Sequence, residues 1–156
     1  MTGVVRIRED VHLHATVPVV HQRILDLHTY DEWLAPPFRD FRADGEGCSF
    51  TLALPGRAER GRLRRGGIED RALTLVRDGE GAASGTYESI TWALHAESGR
   101  EVHLTAEVAY VPAGGVLGGL LETTFHRPRR AQALRDSLWQ LKQVLERAPA
   151  DRPARG

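Results

Sequence analysis

Residues 86–111, TYESITWALHAESGREVHLTAEVAYV, decide the fold. Two alternating runs flank Glu97-Ser98-Gly99. With those three residues as the loop, Ala96 faces Arg100, Leu94 opposes Val102, Trp92 opposes Leu104, Ile90 opposes Ala106 and Glu88 opposes Val108. All the large apolar groups then share one face. A two-residue loop sets Leu94 against His103 and Trp92 against Thr105, which mixes the faces. A slip of one residue reverses every side chain, so the apolar match selects the first register. Gly99 supplies the left-handed residue that three-residue hairpins favour.

An antiparallel sheet with one apolar face needs a cover. Leu134, Leu138, Leu141 and Leu145 recur at spacings of four, three and four, the stripe of an amphipathic helix. Before them, residues 116–125 are apolar, and Leu117, Leu121 and Phe125 are read as facing the sheet. Pro128 offers no N–H to residue 124, so a kink or break is expected there.

Upstream, Val5, Ile7, Val11 and Leu13 alternate with Arg6, Arg8, Asp10, His12 and His14, a half-buried strand. Pro18 opens a helix carrying Val20, Ile24 and Leu27. A second short helix is expected over 29–34, with Thr29 as N-cap and Glu32 completing a capping box, ended by Pro36-Pro37. Strands follow at 38–43, 48–54, 58–65 and 72–77, with a loop at 78–85. Segregated strands and helices give an α+β domain over residues 1–147, with a disordered tail over 148–156.

Val11-His12-Leu13-His14-Ala15-Thr16-Val17-Pro18, Leu27 to Pro36 with its Trp33, the last hairpin, and LRDSLWQLKQVLE at 134–146 together resemble the START/Bet v1 (SRPBCC) superfamily. The polyketide cyclase/dehydrase-like branch is nearest. The resemblance spans nearly the whole chain and rests on the order and spacing of motifs that are individually loose. It implies a helix-grip fold: a curved sheet of about seven strands around a long C-terminal helix, with two short helices after the first strand. It also implies a cavity between sheet and helix for lipids, sterols, quinones or polyketides. The fold does not choose among transport, sensing and cyclisation.

The chain has 21 Lys+Arg and 21 Asp+Glu, so its formal charge is zero and no broad nucleic-acid surface is expected. No apolar run approaches the roughly 20 residues of a membrane span, so no membrane insertion is expected. Cys48 is the single cysteine and lies on an apolar strand face, as an inert core thiol would. With no leader pattern at the start, the cytoplasm is the expected compartment. A homodimer is compatible with all of this.

Polar residues on the apolar face carry the chemical interest. Glu88, placed beside Trp92 by the hairpin register, and Arg65 are the candidate catalytic groups, as general base and anion or carboxylate partner. With Leu63 facing inward, Glu59 and Arg65 share its face. Tyr30, Trp33, Phe50, Leu52, Glu59, Leu63, Ile90, Trp92, Leu104 and Tyr110, with Leu117, Leu121 and Phe125, are the candidate ligand-binding residues. Glu122 and His126, four apart, read as a side-chain pair at the cavity's end. His12 and His14 share a strand face that suits one metal, but no third ligand is identifiable and no metal is assigned. No cofactor motif is present. The leading expectation is a carrier of a small hydrophobic molecule. The alternatives are a polyketide cyclase or aromatase, and a regulatory module with a vestigial pocket.

Overall fold

The computed structural model describes residues 3–79, 87–112 and 115–151. The strands are β1 (Val5–Leu13), β2 (Phe38–Asp44), β3 (Gly47–Leu54), β4 (Arg57–Glu69), β5 (Ala72–Arg77), β6 (Tyr87–Ser98) and β7 (Glu101–Tyr110). They form one sheet in the order β1-β7-β6-β5-β4-β3-β2, with every neighbouring pair antiparallel. The sheet curls about a long C-terminal helix, the helix-grip arrangement. Most of the expected loop at 78–85, and 152–156 of the expected tail, lie outside the described residues.

Helix α1 (Val17–Leu25) begins as its sequence requires: Thr16 accepts the Val19 N–H and Pro18 occupies the first turn. The next segment is a 3-10 turn, Leu27–Glu32. Its cap is Asp26, which accepts the His28 N–H at 3.2 Å. Thr29, expected to cap, instead donates its hydroxyl to the Asp26 carbonyl at 2.8 Å. The aspartate is closer to the turn's first free N–H, so it takes the role.

The last hairpin keeps its predicted face but not its predicted partners. Ser98 opposes Glu101, which leaves Gly99-Arg100 as a two-residue turn. A bulge between Ala96 and Ser98 then sets Leu94 against Leu104, Trp92 against Ala106 and Ile90 against Val108. The displacement is two residues, so the apolar face survives. A second bulge, between Tyr87 and Ser89, turns Tyr87 into the core and Glu88 out of it.

Helix α2 (Gly115–Leu121), a π-helical turn (Glu122–His126) and α3 (Arg127–Asp151) run on without a break. The Arg127 N–H bonds the Glu122 carbonyl, five residues back. Pro128 cannot close the next α-helical bond, and the irregularity expected there takes the form of this wider π turn. The π turn also resets the helical phase. Leu117, Leu121 and Phe125, expected to face the sheet, stand exposed, Phe125 at 56%. Beyond the turn, Leu134, Leu138, Leu141 and Leu145 are all buried against the sheet, as their spacing predicts.

Leu141→Ala should therefore lower stability by about 2–5 kcal/mol, while Trp139→Ala, at a site 55% exposed, should change it by less than about 0.5 kcal/mol. Urea unfolding of both variants checks this; equal losses would contradict the helix phase.

Candidate functional site

One end of the space between sheet and helix is polar. Arg130 projects from α3 and is 4% exposed. Its guanidinium bonds both oxygens of Glu59 on β4, at 2.5 and 2.8 Å, and both of Glu122 on the π turn, at 2.9 Å each. It also donates to the Tyr87 hydroxyl at 2.8 Å and stacks over the Tyr110 ring at 4.1 Å. Tyr110 donates its hydroxyl to Glu122 at 2.6 Å, and Tyr87 donates to Glu59 at 3.2 Å. Arg57 reaches Glu59 from the rim at 3.0 Å.

Burial opposes every charge in this group. For Arg130, the hydrogen bonds to Glu59 and Glu122 outweigh it and raise the guanidinium's pKa further. For Glu122, burial pushes upward, but the bonds from Arg130 and Tyr110 hold the carboxyl below its usual range. Burial pushes both phenols upward, so Tyr87 and Tyr110 stay neutral donors. His126 meets the Pro55 carbonyl through Nε2 at 3.2 Å, so that nitrogen carries the proton. The His126 Nδ1 is buried without a hydrogen-bond partner among the described residues and lies 4.0 Å from Glu122.

Beyond Tyr87 and Arg130 the space is apolar. A cavity of about 50 Å³ lies among Trp33, Trp92, Phe50, Leu52, Ile90 and Leu134, with Tyr30 and Cys48 also on its wall. Leu34, Phe38, Phe41, Ile90 and Val108 form its half-buried sides. Burial pushes the Cys48 thiol up to about 11, which keeps it unreactive. Tyr30 donates to the Ile24 carbonyl at 2.6 Å. Among the described residues, the buried indole N–H groups of Trp33 and Trp92 have no acceptor. Trp92 leans on the Tyr30 phenol, but not with the geometry of a hydrogen bond.

Tyr30, Trp33, Phe50, Leu52, Ile90 and Trp92 thus line the cavity. Glu59 and Tyr110 lie in the polar network behind Tyr87. Leu63 and Leu104 are fully buried within the core. The two candidate catalytic groups stand elsewhere. Glu88, expected beside Trp92, pairs with Arg77 at 3.3 Å because the bulge rotates it outward. Arg65 meets neither Glu59 nor Glu88; it bonds the Leu25 carbonyl and lies 3.9 Å from Glu46. Arg130 and Tyr87 were not foreseen. The leucine stripe carried that signal: steps of four back from Leu134 land on Arg130, His126 and Glu122.

Arg130→Met should strip Glu122 and Glu59 of their shared cation and cost about 3–5 kcal/mol at neutral pH. Glu122's folded-state value lies below its unfolded one, so in the native chain its stabilisation is present at neutral pH and lost as pH falls through the folded value. In the variant the buried carboxyls favour protonation, so its deficit should shrink toward about pH 4. Urea unfolding across pH checks this; a constant deficit would contradict the assignment.

No protein-family model matches the sequence, and no curated protein does. Solved structures match closely in shape. The TTHA0849 protein of Thermus thermophilus superposes with a TM-score of 0.74 at 14% identity, covering 92% of this chain and 99% of that one. The Zhui aromatase/cyclase from Streptomyces sp. R1128 gives 0.63 at 17% identity, over 93% and 95%. A START superfamily protein from Mycobacterium smegmatis gives 0.55 at 14% identity, over 89% and 99%. At these identities the likeness establishes architecture: the chain has the helix-grip fold of the START and polyketide-cyclase-like proteins.

Proposed function

We propose that the chain binds and carries a flat, apolar molecule bearing an oxygen acceptor, of quinone or polyketide-like chemistry. The observation that carries this reading is the pair of buried, unpartnered indole donors, Trp33 Nε1 and Trp92 Nε1, on two residues that line an apolar cavity. A buried donor without an acceptor costs about 1–3 kcal/mol. A guest carbonyl between the indoles removes that cost; a plain hydrocarbon does not. Tyr87 and Arg130 close the far end, their own donors already engaged by Glu59 and Glu122.

The cavity's 50 Å³ is well below the roughly 300 Å³ or more of a drug-sized site. Binding therefore expands it, and the half-buried sides at Leu34, Phe38 and Phe41 are where it yields. The lone buried thiol suits such a carrier to the cytoplasm. Among the described residues, no helix is long and apolar enough to cross a membrane.

A cyclase is the second reading, favoured by the aromatase/cyclase among the fold neighbours. It needs a free acid or base at the cavity, whereas Glu59 and Glu122 are both engaged by Arg130.

Native mass spectrometry with 2-acetylnaphthalene and its hydrocarbon isostere 2-isopropenylnaphthalene tests the proposal. The ketone should be retained more strongly. Trp33→Phe should weaken the ketone about tenfold, one hydrogen bond's worth, and leave the hydrocarbon unchanged. Equal losses for both guests would remove the role given to the indole. No adduct with either would favour a regulatory module with a vestigial pocket.

A further inference from the structure

The outer face of β1, β7 and β6, remote from the cavity, holds a row of histidines. His12 lies directly opposite His103, and His103 directly opposite His95. Three carboxylates surround them. The His12 Nδ1 lies 3.6 Å from Glu97 Oε2, and the His103 Nδ1 lies 3.4 Å from Glu97 Oε1. On the far side of each ring, His12 Nε2 meets Glu101 Oε1 at 3.0 Å and His103 Nε2 meets Asp10 Oδ2 at 3.1 Å. Glu101 is itself fixed by the Ser98 hydroxyl at 3.1 Å.

This arrangement sets the tautomers. All three carboxylates accept only; Glu101 and Asp10 are the nearer, at 3.0 and 3.1 Å against 3.6 and 3.4 Å for Glu97, so the single proton of each neutral ring sits at Nε2. Both Nδ1 lone pairs then face the same Glu97 carboxylate. Two lone pairs against an anion repel one another; a cation at their centre converts all three into ligands. Each histidine already has the outer carboxylate that metal-bound imidazoles use to fix their orientation and raise their basicity.

We propose that His12 Nδ1, His103 Nδ1 and Glu97 bind a divalent transition-metal ion such as Zn²⁺, with Glu101 and Asp10 as positioning residues. One donor atom from each of the three lies within 4.8 Å of the others. Zinc bonds of about 2.0–2.2 Å in tetrahedral geometry place ligand atoms about 3.4 Å apart, close to the separations found here. Nitrogen donors select zinc and its neighbours over Mg²⁺ and Ca²⁺. The fourth position is open to solvent, since both ligating rings are 36% exposed. A metal there ties the edge strand β1 to the β6–β7 hairpin.

His14 and Glu101 offer His12 a rival grouping, with His14 Nδ1 at 3.8 Å from Glu101. It engages the Nε2 of His12, and one imidazole of this kind serves one site or the other. The Glu97 grouping is favoured because both of its histidines have their far nitrogens committed to carboxylates.

The test uses the untagged chain, stripped with chelator, titrated with Co²⁺ and Zn²⁺ at about pH 7.5, above the ordinary histidine range. One ion per chain is expected by native mass spectrometry, with visible Co²⁺ bands and a thermal shift that grows with metal concentration. His12→Ala and His103→Ala should each weaken binding by more than about tenfold, and Asp10→Asn by about tenfold. His14→Ala should leave it within about twofold. Far-UV circular dichroism of these surface variants should match the native chain. Absence of binding in the native chain would overturn the proposal. So would loss in His14→Ala with full binding in His103→Ala.

Discussion

One guanidinium joins the helix to the sheet. Arg130 on α3 holds Glu59 on β4 and Glu122 on the π turn, and through Tyr87 and Tyr110 it reaches β6 and β7. Such a group is tolerable in a core only when each charge and hydroxyl is matched, and here they are matched around one centre. The apolar stripe of α3 supplies most of the burial, and Arg135 to Glu9 and Lys142 to the His12 carbonyl tie the helix to β1. Arg130 ties it to β4 and, through the tyrosines, to β6 and β7. It also makes one end of the cavity polar and ties up the two carboxylates nearest to it, which turns the site toward recognition.

The rest of the cavity follows from what the helix and sheet leave between them. Aromatic rings fill most of the space: Trp33 packs edge-on against Trp92, and Tyr30 stacks with Phe41. The small remaining void and the two unpartnered indoles belong together. Filling the void completely with side chains would bury those donors for good, whereas a cavity that expands around a guest gives them an acceptor.

Much of this fold was legible in the sequence because it depends on period. The two-residue alternation in β1, β3, β6 and β7 identified their inner faces, and the four-three-four spacing of leucines identified the closing helix. The irregularities were not legible. The bulge at Tyr87–Ser89 exchanges the faces of Tyr87 and Glu88, and no residue there announces it. The π turn at Glu122–His126 rotates Leu117, Leu121 and Phe125 to solvent, although their apolarity argued for the core. Pro128 did mark the disturbed turn; what it did not reveal was the direction of the phase change. The site was half visible for the same reason: its aromatic walls lie on regular strands, while its polar end sits where regularity fails. The histidine row needed the β1–β7 pairing, a contact between residues far apart in the chain.

The central claim is that Trp33 and Trp92 present their N–H groups to a guest oxygen. The most direct measurement is a ¹⁵N–¹H spectrum of the three tryptophan indoles during titration with 2-acetylnaphthalene. The account predicts that the Trp33 and Trp92 resonances move downfield together while that of Trp139 stays in place. A bound ketone that leaves both unchanged, or moves only Trp139, would contradict it.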